Sequence, residues 1–259
     1  MSTNIQNAKN LVSTLASGDA ALATSLLEEN YIQHNQAQET GRDAFVALVN
    51  KLAQAPEKTT VKTIRAFEDG DKVFLHNVYN LAGEGEKVAF DIFCFNENGL
   101  IAEHWDNIQE MTPPNPSGRT LVDGVATVVE DADTETSREI ATNFIYDVLH
   151  GQASDKMNSY FDGVTEEKYL QHNPGVADGL LGLLDALAEM EKQGMSMVYY
   201  KTYQILAQND FVLSVSEGEF AGQHVAFYDL FRIENGFIAE HWDVIEPISA
   251  EKANDNGKF

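Results

Sequence analysis

Apolar residues recur at helical spacing over residues 4–17, where Ile5, Ala8, Leu11, Val12 and Leu15 would share one face and Gly18 would end the helix. The spacing predicts a second short helix from Asp19 to Glu29, with Asp19 as its N-cap. A third runs from Arg42 to Gln54 (Phe45, Leu48, Val49, Leu52) and stops near Pro56. Between the second and third, Tyr31 to Asn35 reads as a short extended piece. The pattern then turns to strand-like segments near 58–68, 72–82, 86–96 and 100–110, joined at Asp69-Gly70, Glu84-Gly85 and Asn98-Gly99. The same order returns downstream: helices near 135–150, 153–161 and 179–193, then strands near 196–207, 210–220, 224–234 and 237–247.

The return is a repeat of letters as well as of pattern. Tyr31-Ile32-Gln33-His34-Asn35 matches Tyr169-Leu170-Gln171-His172-Asn173, 138 positions on. Ile101-Ala102-Glu103-His104-Trp105-Asp106 reappears unchanged as Ile238-Ala239-Glu240-His241-Trp242-Asp243, each time after Glu-Asn-Gly. A period this long means two copies of one domain rather than a solenoid. The expected division is copy one over 1–111, a linker over 112–132, copy two over 133–249 and a polar, frayed tail over 250–259. Pro113, Pro114, Pro116 and Gly118 give the linker its extended character.

Each Ile-Ala-Glu-His-Trp-Asp follows a hairpin turn signal, because Asn and Gly adopt positive φ cheaply, and so reads as a return strand. Alternation puts His104 with Asp106, and His241 with Asp243, on one face of the sheet. Glu103, Trp105, Glu240 and Trp242 fall on the other. A two-residue turn at Asn235-Gly236 would set Asp229 opposite Trp242, hence facing away from His241; the same holds less securely for Asp91 behind its longer turn.

Composition narrows the classes. The chain is 43% hydrophobic and 10% aromatic, enough to bury real cores. A formal net charge of −24 argues against nucleic acid or an anionic membrane as partner, since phosphates need clustered Lys and Arg. No basic, apolar leader opens the chain and no 18-residue apolar stretch occurs, so a cytoplasmic, non-membrane protein is expected. The single cysteine, Cys94, excludes an intrachain disulfide and reads as a strand thiol.

Two stretches carry a family resemblance: Tyr169 to Gly179 (Tyr-Leu-Gln-His-Asn-Pro-Gly-Val-Ala-Asp-Gly) and Asp229 to Val244, which ends in Glu-His-Trp-Asp-Val. They resemble the SnoaL-like polyketide cyclase family, within the nuclear-transport-factor-two-like superfamily, and the likeness covers nearly all of both copies. The resemblance implies an α+β fold: two tandem cone-shaped domains, each with three helices packed in a curved antiparallel sheet, paired through their sheets as an internal pseudo-dimer. It also implies a pocket on the concave side, no cofactor and no metal. The expected activity is acid/base ring closure of the aldol type on a small, largely apolar carbonyl compound. The family's acidic residue lies seven positions after the hairpin glycine, here Asp106 after Gly99 and Asp243 after Gly236. Copy one departs from the pattern: it lacks the equivalents of Pro174 and Asp178, and has His76 where copy two has Ser214. The alternatives are a non-catalytic ligand-binding or assembly module, and an epoxide hydrolase or dehydratase reaction on the same scaffold.

The candidate catalytic set is therefore Asp243, His241, Asp106 and His104, with the carboxylates as bases and the imidazoles as partners of the substrate oxygen. His172, Asn173, Tyr169, His34, Asn35, Tyr31 and His76 are the expected substrate-binding residues. A three-His, one-carboxylate metal site from His34, His76, His104 and Asp106 is the weaker reading, because the spacing matches no metal motif and copy two lacks the third His.

Overall fold

In the computed structural model, which describes residues 2–259, the chain divides into two units. Unit one holds residues 1–111 together with 248–259, and unit two holds Thr112–Pro247. The segment that follows each last strand thus belongs to the other unit.

Unit one opens with α1 (Thr3–Ser17), capped by Ser2, whose hydroxyl accepts from Ile5 N, and ended by Gly18 at φ 74°. Only glycine adopts that conformation cheaply. α2 (Ala20–Leu26) begins on the expected cap, Asp19, which accepts from Leu22 N. β1 (Leu27–Gln33) and α3 (Arg42–Ala53) follow, then β2 (Thr60–Asp69), β3 (Lys72–Asn80), β4 (Glu86–Phe95) and β5 (Ile101–Glu110). The sheet order is β1-β5-β4-β3-β2, with β1 parallel to β5 and the other neighbours antiparallel. Ile5, Ala8, Leu11, Val12 and Leu15 are all buried against the inward strand residues Val73, Leu75 and Phe93. Burial of each of the larger side chains here, Ile, Leu, Val or Phe, stabilises by roughly 1.5–3 kcal/mol.

Unit two repeats the plan with local changes. α4 (Thr134–Phe144) passes into a π-helical turn over Ile145–Leu149, within the span predicted as one helix. The helix expected near 153–161 is a 3-10 stretch, Ser154–Tyr160, pinned where Asp147 receives Lys156 Nζ at 2.9 Å and Tyr160 Oη at 2.5 Å. A short 3-10 turn (Glu166–Lys168), β6 (Leu170–Gln171), α5 (Gly179–Lys192), β7 (Met197–Gln208), β8 (Phe211–Phe220), β9 (Gln223–Glu234) and β10 (Phe237–Pro247) complete it. The order β6-β10-β9-β8-β7 reproduces that of the first sheet. Each unit is the expected α+β cone.

The tail is not frayed. Asn254 Nδ2 donates to the carbonyls of Asn35 and Gln38, both at 2.8 Å, and Asn256 Nδ2 donates to Gln33 O at 2.9 Å. The segment after β5 does the same in unit two: Asn115 Nδ2 donates to Gln171 O at 2.7 Å and to Val176 O at 2.8 Å. Asn115-Pro-Ser-Gly-Arg and Asn254-Asp-Asn-Gly-Lys are thus a further pair of repeated segments, too short to be seen as letters alone.

Candidate functional site

β10 and β9 build the site in unit two. Had their ladder run straight from the turn, Asp229 would sit opposite Trp242. A bulge between Ile238 and Glu240 shifts the register by one residue, so that Asp243 pairs with Asp229 and Trp242 with Leu230. The expectation that Asp229 faces away from His241 is corrected by that extra residue, which a bulge inserts into one strand only. In unit one, β4 and β5 likewise pair Asp91 with Asp106.

His241 Nε2 lies 3.1 Å from Asp229 Oδ1, and its Nδ1 lies 3.1 Å from Gln171 Oε1. That Gln171 oxygen is identified by its neighbours: it also accepts from His172 N at 2.8 Å and Asn173 N at 2.9 Å. Both ring nitrogens therefore face oxygens that can accept, an arrangement that favours the doubly protonated, positively charged ring. Burial opposes that charge, but the Asp229 hydrogen bond and the fields of Asp243 and Asp229 outweigh it and raise the His241 pKa. Tyr199 Oη also donates to Asp229, at 3.1 Å to Oδ2.

Asp243 is held differently. Its Oδ2 accepts from Asn173 Nδ2 at 2.7 Å, while its Oδ1 is buried without a hydrogen-bond partner. Burial raises the Asp243 pKa and nearby Asp229 adds to this, against the opposing pull of His241 and the Asn173 bond. The carboxyl stands in the wall of a cavity of about 110 Å³, whose other walls include Phe144, Leu183, Leu187, Met190, Phe231 and Ile245. An acid in an apolar wall with one free oxygen is equipped to take and return a proton.

Unit one has the same skeleton with more of its groups engaged. His104 bridges Asp91 Oδ1 at 2.9 Å and Gln33 Oε1 at 3.0 Å, and Asn35 Nδ2 donates to Asp106 Oδ2 at 2.7 Å. Asp91 Oδ2 receives both Asn77 Nδ2 (2.8 Å) and Tyr79 Oη (3.0 Å). Lys258 Nζ donates to the Asp106 carbonyl at 2.7 Å and stands 3.9 Å from Asp106 Oδ1, which, like Asp243 Oδ1, is buried without a hydrogen-bond partner. The cavity here is about 70 Å³.

A family model described as the SnoaL-like domain matches residues 8–104. Unit one carries a SnoaL-like domain. The internal repeat extends its motifs into unit two. No curated protein matches the chain. Among solved structures, the chain is similar to an NTF2-like protein of unknown function from Cytophaga hutchinsonii, at 16% identity over 42% of this chain and 92% of that one, with TM-score 0.37. It is similar also to a structure titled as a ketosteroid isomerase from Kribbella flavida, at 20% identity over 47% and 89%, TM-score 0.37. A third, titled as a SnoaL-like polyketide cyclase from Shewanella denitrificans, has 13% identity over 42% and 92%, TM-score 0.38.

In the two units, Asp243, His241, Asn173 and Tyr169 line the larger cavity, and Asp106, His104 and Asn35 the smaller one. The remaining expected binding residues lie elsewhere. His172 stacks on Trp242 with ring centroids 4.7 Å apart and bonds Glu240 Oε1 at 2.9 Å, on the reverse face of the sheet. His34 stacks likewise on Trp105 at 4.7 Å and bonds Glu103 Oε1 at 2.7 Å. Both are corrections with one cause: along Gln-His-Asn, Gln and Asn share the inner face and His takes the other. His76 is fully buried on the reverse face, edge-on to Phe90 and 3.1 Å from Arg65 Nη1. Tyr31 is buried against Phe45 and is not a cavity wall.

The proposed convergence of His34, His76, His104 and Asp106 on a metal therefore does not occur, because two of the four are on the wrong face. Asp229, His241 and Asp243 do bring ligand atoms within 4.8 Å of one another, as do Asp91, His104 and Asp106. Each imidazole already spends both nitrogens on Gln and Asp oxygens, so an ion would have to break one of those bonds to find a lone pair. Glu240, by contrast, is a structural carboxylate. Its burial is offset by hydrogen bonds from His172 and Arg232 (Nε to Oε2, 2.8 Å), which lower its pKa.

Sequence reasoning misses Gln33, Gln171, Tyr79 and Tyr199. The glutamines are visible as inner-face neighbours of the asparagines. The tyrosines are hidden, because they reach equivalent aspartates from different strands: Tyr79 on β3 pairs with Val61, whereas Tyr199 on β7 pairs with Gly218. Residue size has been exchanged across the pair. Cys94 is half-buried, its thiol pushed up to about 11 by burial and by Asp71, which makes it a poor nucleophile.

Proposed function

We propose that unit two is a cofactor-independent acid/base site acting on a small, largely apolar carbonyl compound, with ring closure of the cyclase or aldol type as its reaction. The observation that carries this reading is the unpartnered, buried Oδ1 of Asp243 in an apolar cavity wall. Asp243 would remove a proton from the carbon next to a carbonyl. The resulting enolate carbon would attack a second carbonyl carbon of the same molecule, and the proton would return to the new alkoxide oxygen. No electrons enter or leave. His241 lines the cavity but, engaged at both ring nitrogens, has no hydrogen to give the substrate; it fixes Asp229 and supplies a positive field that keeps two facing carboxyl groups compatible.

Unit one is proposed as the quiet copy: its Asp106 Oδ1 is likewise without a hydrogen-bond partner, but Lys258 Nζ stands 3.9 Å from it, Asp91 takes two further donors and the cavity is smaller. The test uses 2-tetralone, an apolar ketone with exchangeable α-hydrogens, in D₂O. Asp243→Asn is expected to slow enzyme-dependent exchange about a hundred-fold or more, the usual size of a general base contribution. Asp106→Asn is expected to leave it nearly unchanged. Equal exchange by the wild type and Asp243→Asn would remove the assignment.

A further inference from the structure

Proton removal beside a carbonyl puts charge on its oxygen, and in an apolar cavity that oxygen needs a donor. The obvious donors of unit two are already spent. Both hydrogens of the His241 ring go to Gln171 and Asp229, and the Tyr199 hydroxyl goes to Asp229. Tyr169 is different. Its Oη accepts from Gln171 Nε2 at 2.9 Å, and among the described residues nothing takes its own hydrogen. Tyr169 is also a wall of the cavity that Asp243 lines.

The bonds run in one direction. His241 Nδ1–H points at Gln171 Oε1, Gln171 Nε2–H points at Tyr169 Oη, and the hydroxyl hydrogen of Tyr169, a residue of the cavity wall, is left without an acceptor among the described residues. Aligned donors polarise one another, so the positive charge of the imidazolium strengthens the last hydroxyl as a donor. We infer that Tyr169 binds the carbonyl oxygen of the substrate and stabilises its enolate, with Gln171 and His241 as positioning residues behind it. The inference rests on the acid/base reading of Asp243 given above. A donor to an enolate must keep its own proton, and the Tyr169 phenol does so, because burial and then the charges of Asp243 and Asp229 hold its pKa well above the ordinary value. Unit one keeps the Gln33-to-Tyr31 bond at 3.2 Å, but Tyr31 is not a wall of its cavity.

The probe is 4-nitrophenol, a flat ring whose phenolate resembles an enolate and whose colour reports ionisation. Binding is followed by absorbance with the full chain, its Asp243→Asn form, Tyr169→Phe, and the double variant. Asp243→Asn mimics the protonated acid and is expected to bind the phenolate more tightly than the wild type. Adding Tyr169→Phe is expected to weaken that binding ten- to a hundred-fold, the worth of a hydrogen bond to a charged group, and to lower the bound phenolate fraction. The ring of Tyr169 stays in place against Phe161 in this variant, and an unchanged melting temperature checks that it does. Equal affinity and colour with and without the Tyr169 hydroxyl would overturn the inference, as would no binding to Asp243→Asn. The acid/base reading fails separately, if Asp243→Asn still exchanges 2-tetralone hydrogens at the wild-type rate.

Discussion

Asp243 stands directly opposite Asp229 across the β9–β10 ladder, with the His241 ring bonded to Asp229 at 3.1 Å. Two carboxyl groups set face to face cannot both ionise without cost. Burial and the facing Asp229 raise the Asp243 pKa above the ordinary carboxylate value, against the pull of the His241 ring.

A raised pKa is a stability penalty at neutral pH. Asp243 in the unfolded chain ionises near pH 3.9, below its folded value, so stability is full below that pH and is lost as pH rises through the folded pKa. Asp243→Asn is therefore expected to raise the neutral-pH melting temperature by roughly 2–4 °C, the shift that ~1 kcal/mol gives at this chain length. The gain should vanish when both proteins are melted near pH 3.

His241 has the opposite dependence on function but the same sign in pH. Its folded pKa lies above the unfolded value of about 6.5, so its contribution is complete below that pH and fades as pH rises through the folded value. His241→Gln should cost about 1–3 kcal/mol in urea unfolding at pH 6, and less at high pH.

On the reverse face, Glu240 joins His172 to Arg232 with no exposure of its own. Glu240→Gln removes the charge and sets an NH2 group against one of the two buried partners, and is expected to cost on the order of 3 kcal/mol, measured by chemical denaturation. Arg232 also holds Glu234 at 2.7 Å, which limits the loss.

The C-terminal segment should behave as part of unit one. Removing residues 253–259 takes away the donors to the carbonyls of Gln33, Asn35 and Gln38. Amide hydrogen exchange is expected to quicken across residues 33–40, while amides of β8 and β9 keep their protection. Unchanged exchange over 33–40 would contradict that role for the C-terminal segment.

Much of this is readable in the letters. Helix and strand positions follow from periodicity, and the two His-Asp couples follow from alternation on a return strand. The differences have physical causes. A straight ladder turns Asp229 outward, whereas the bulge after Ile238, invisible in the sequence, turns it in, since one residue of slip reverses a side chain's face. The chemistry of His34 and His172 suggests binding residues, although alternation along Gln-His-Asn already sets them apart from Asn35 and Asn173. Tyr79 and Tyr199 are beyond reach, since a repeat comparison pairs like with like and these two occupy unlike strands. The polarity of the tail suggests fraying, yet its asparagine amides suit it to bridging backbone carbonyls.

The most direct measurement is a carboxyl titration by NMR with ¹³C-labelled aspartate, the Asp243 signal assigned from its loss in Asp243→Asn. The account predicts that Asp243 titrates above the ordinary aspartate value near 3.9, while the His241 ring titrates above about 6.5. An Asp243 carboxyl that titrates at or below the ordinary value would mean a fully committed anion, and the proton carrier would have to be sought elsewhere.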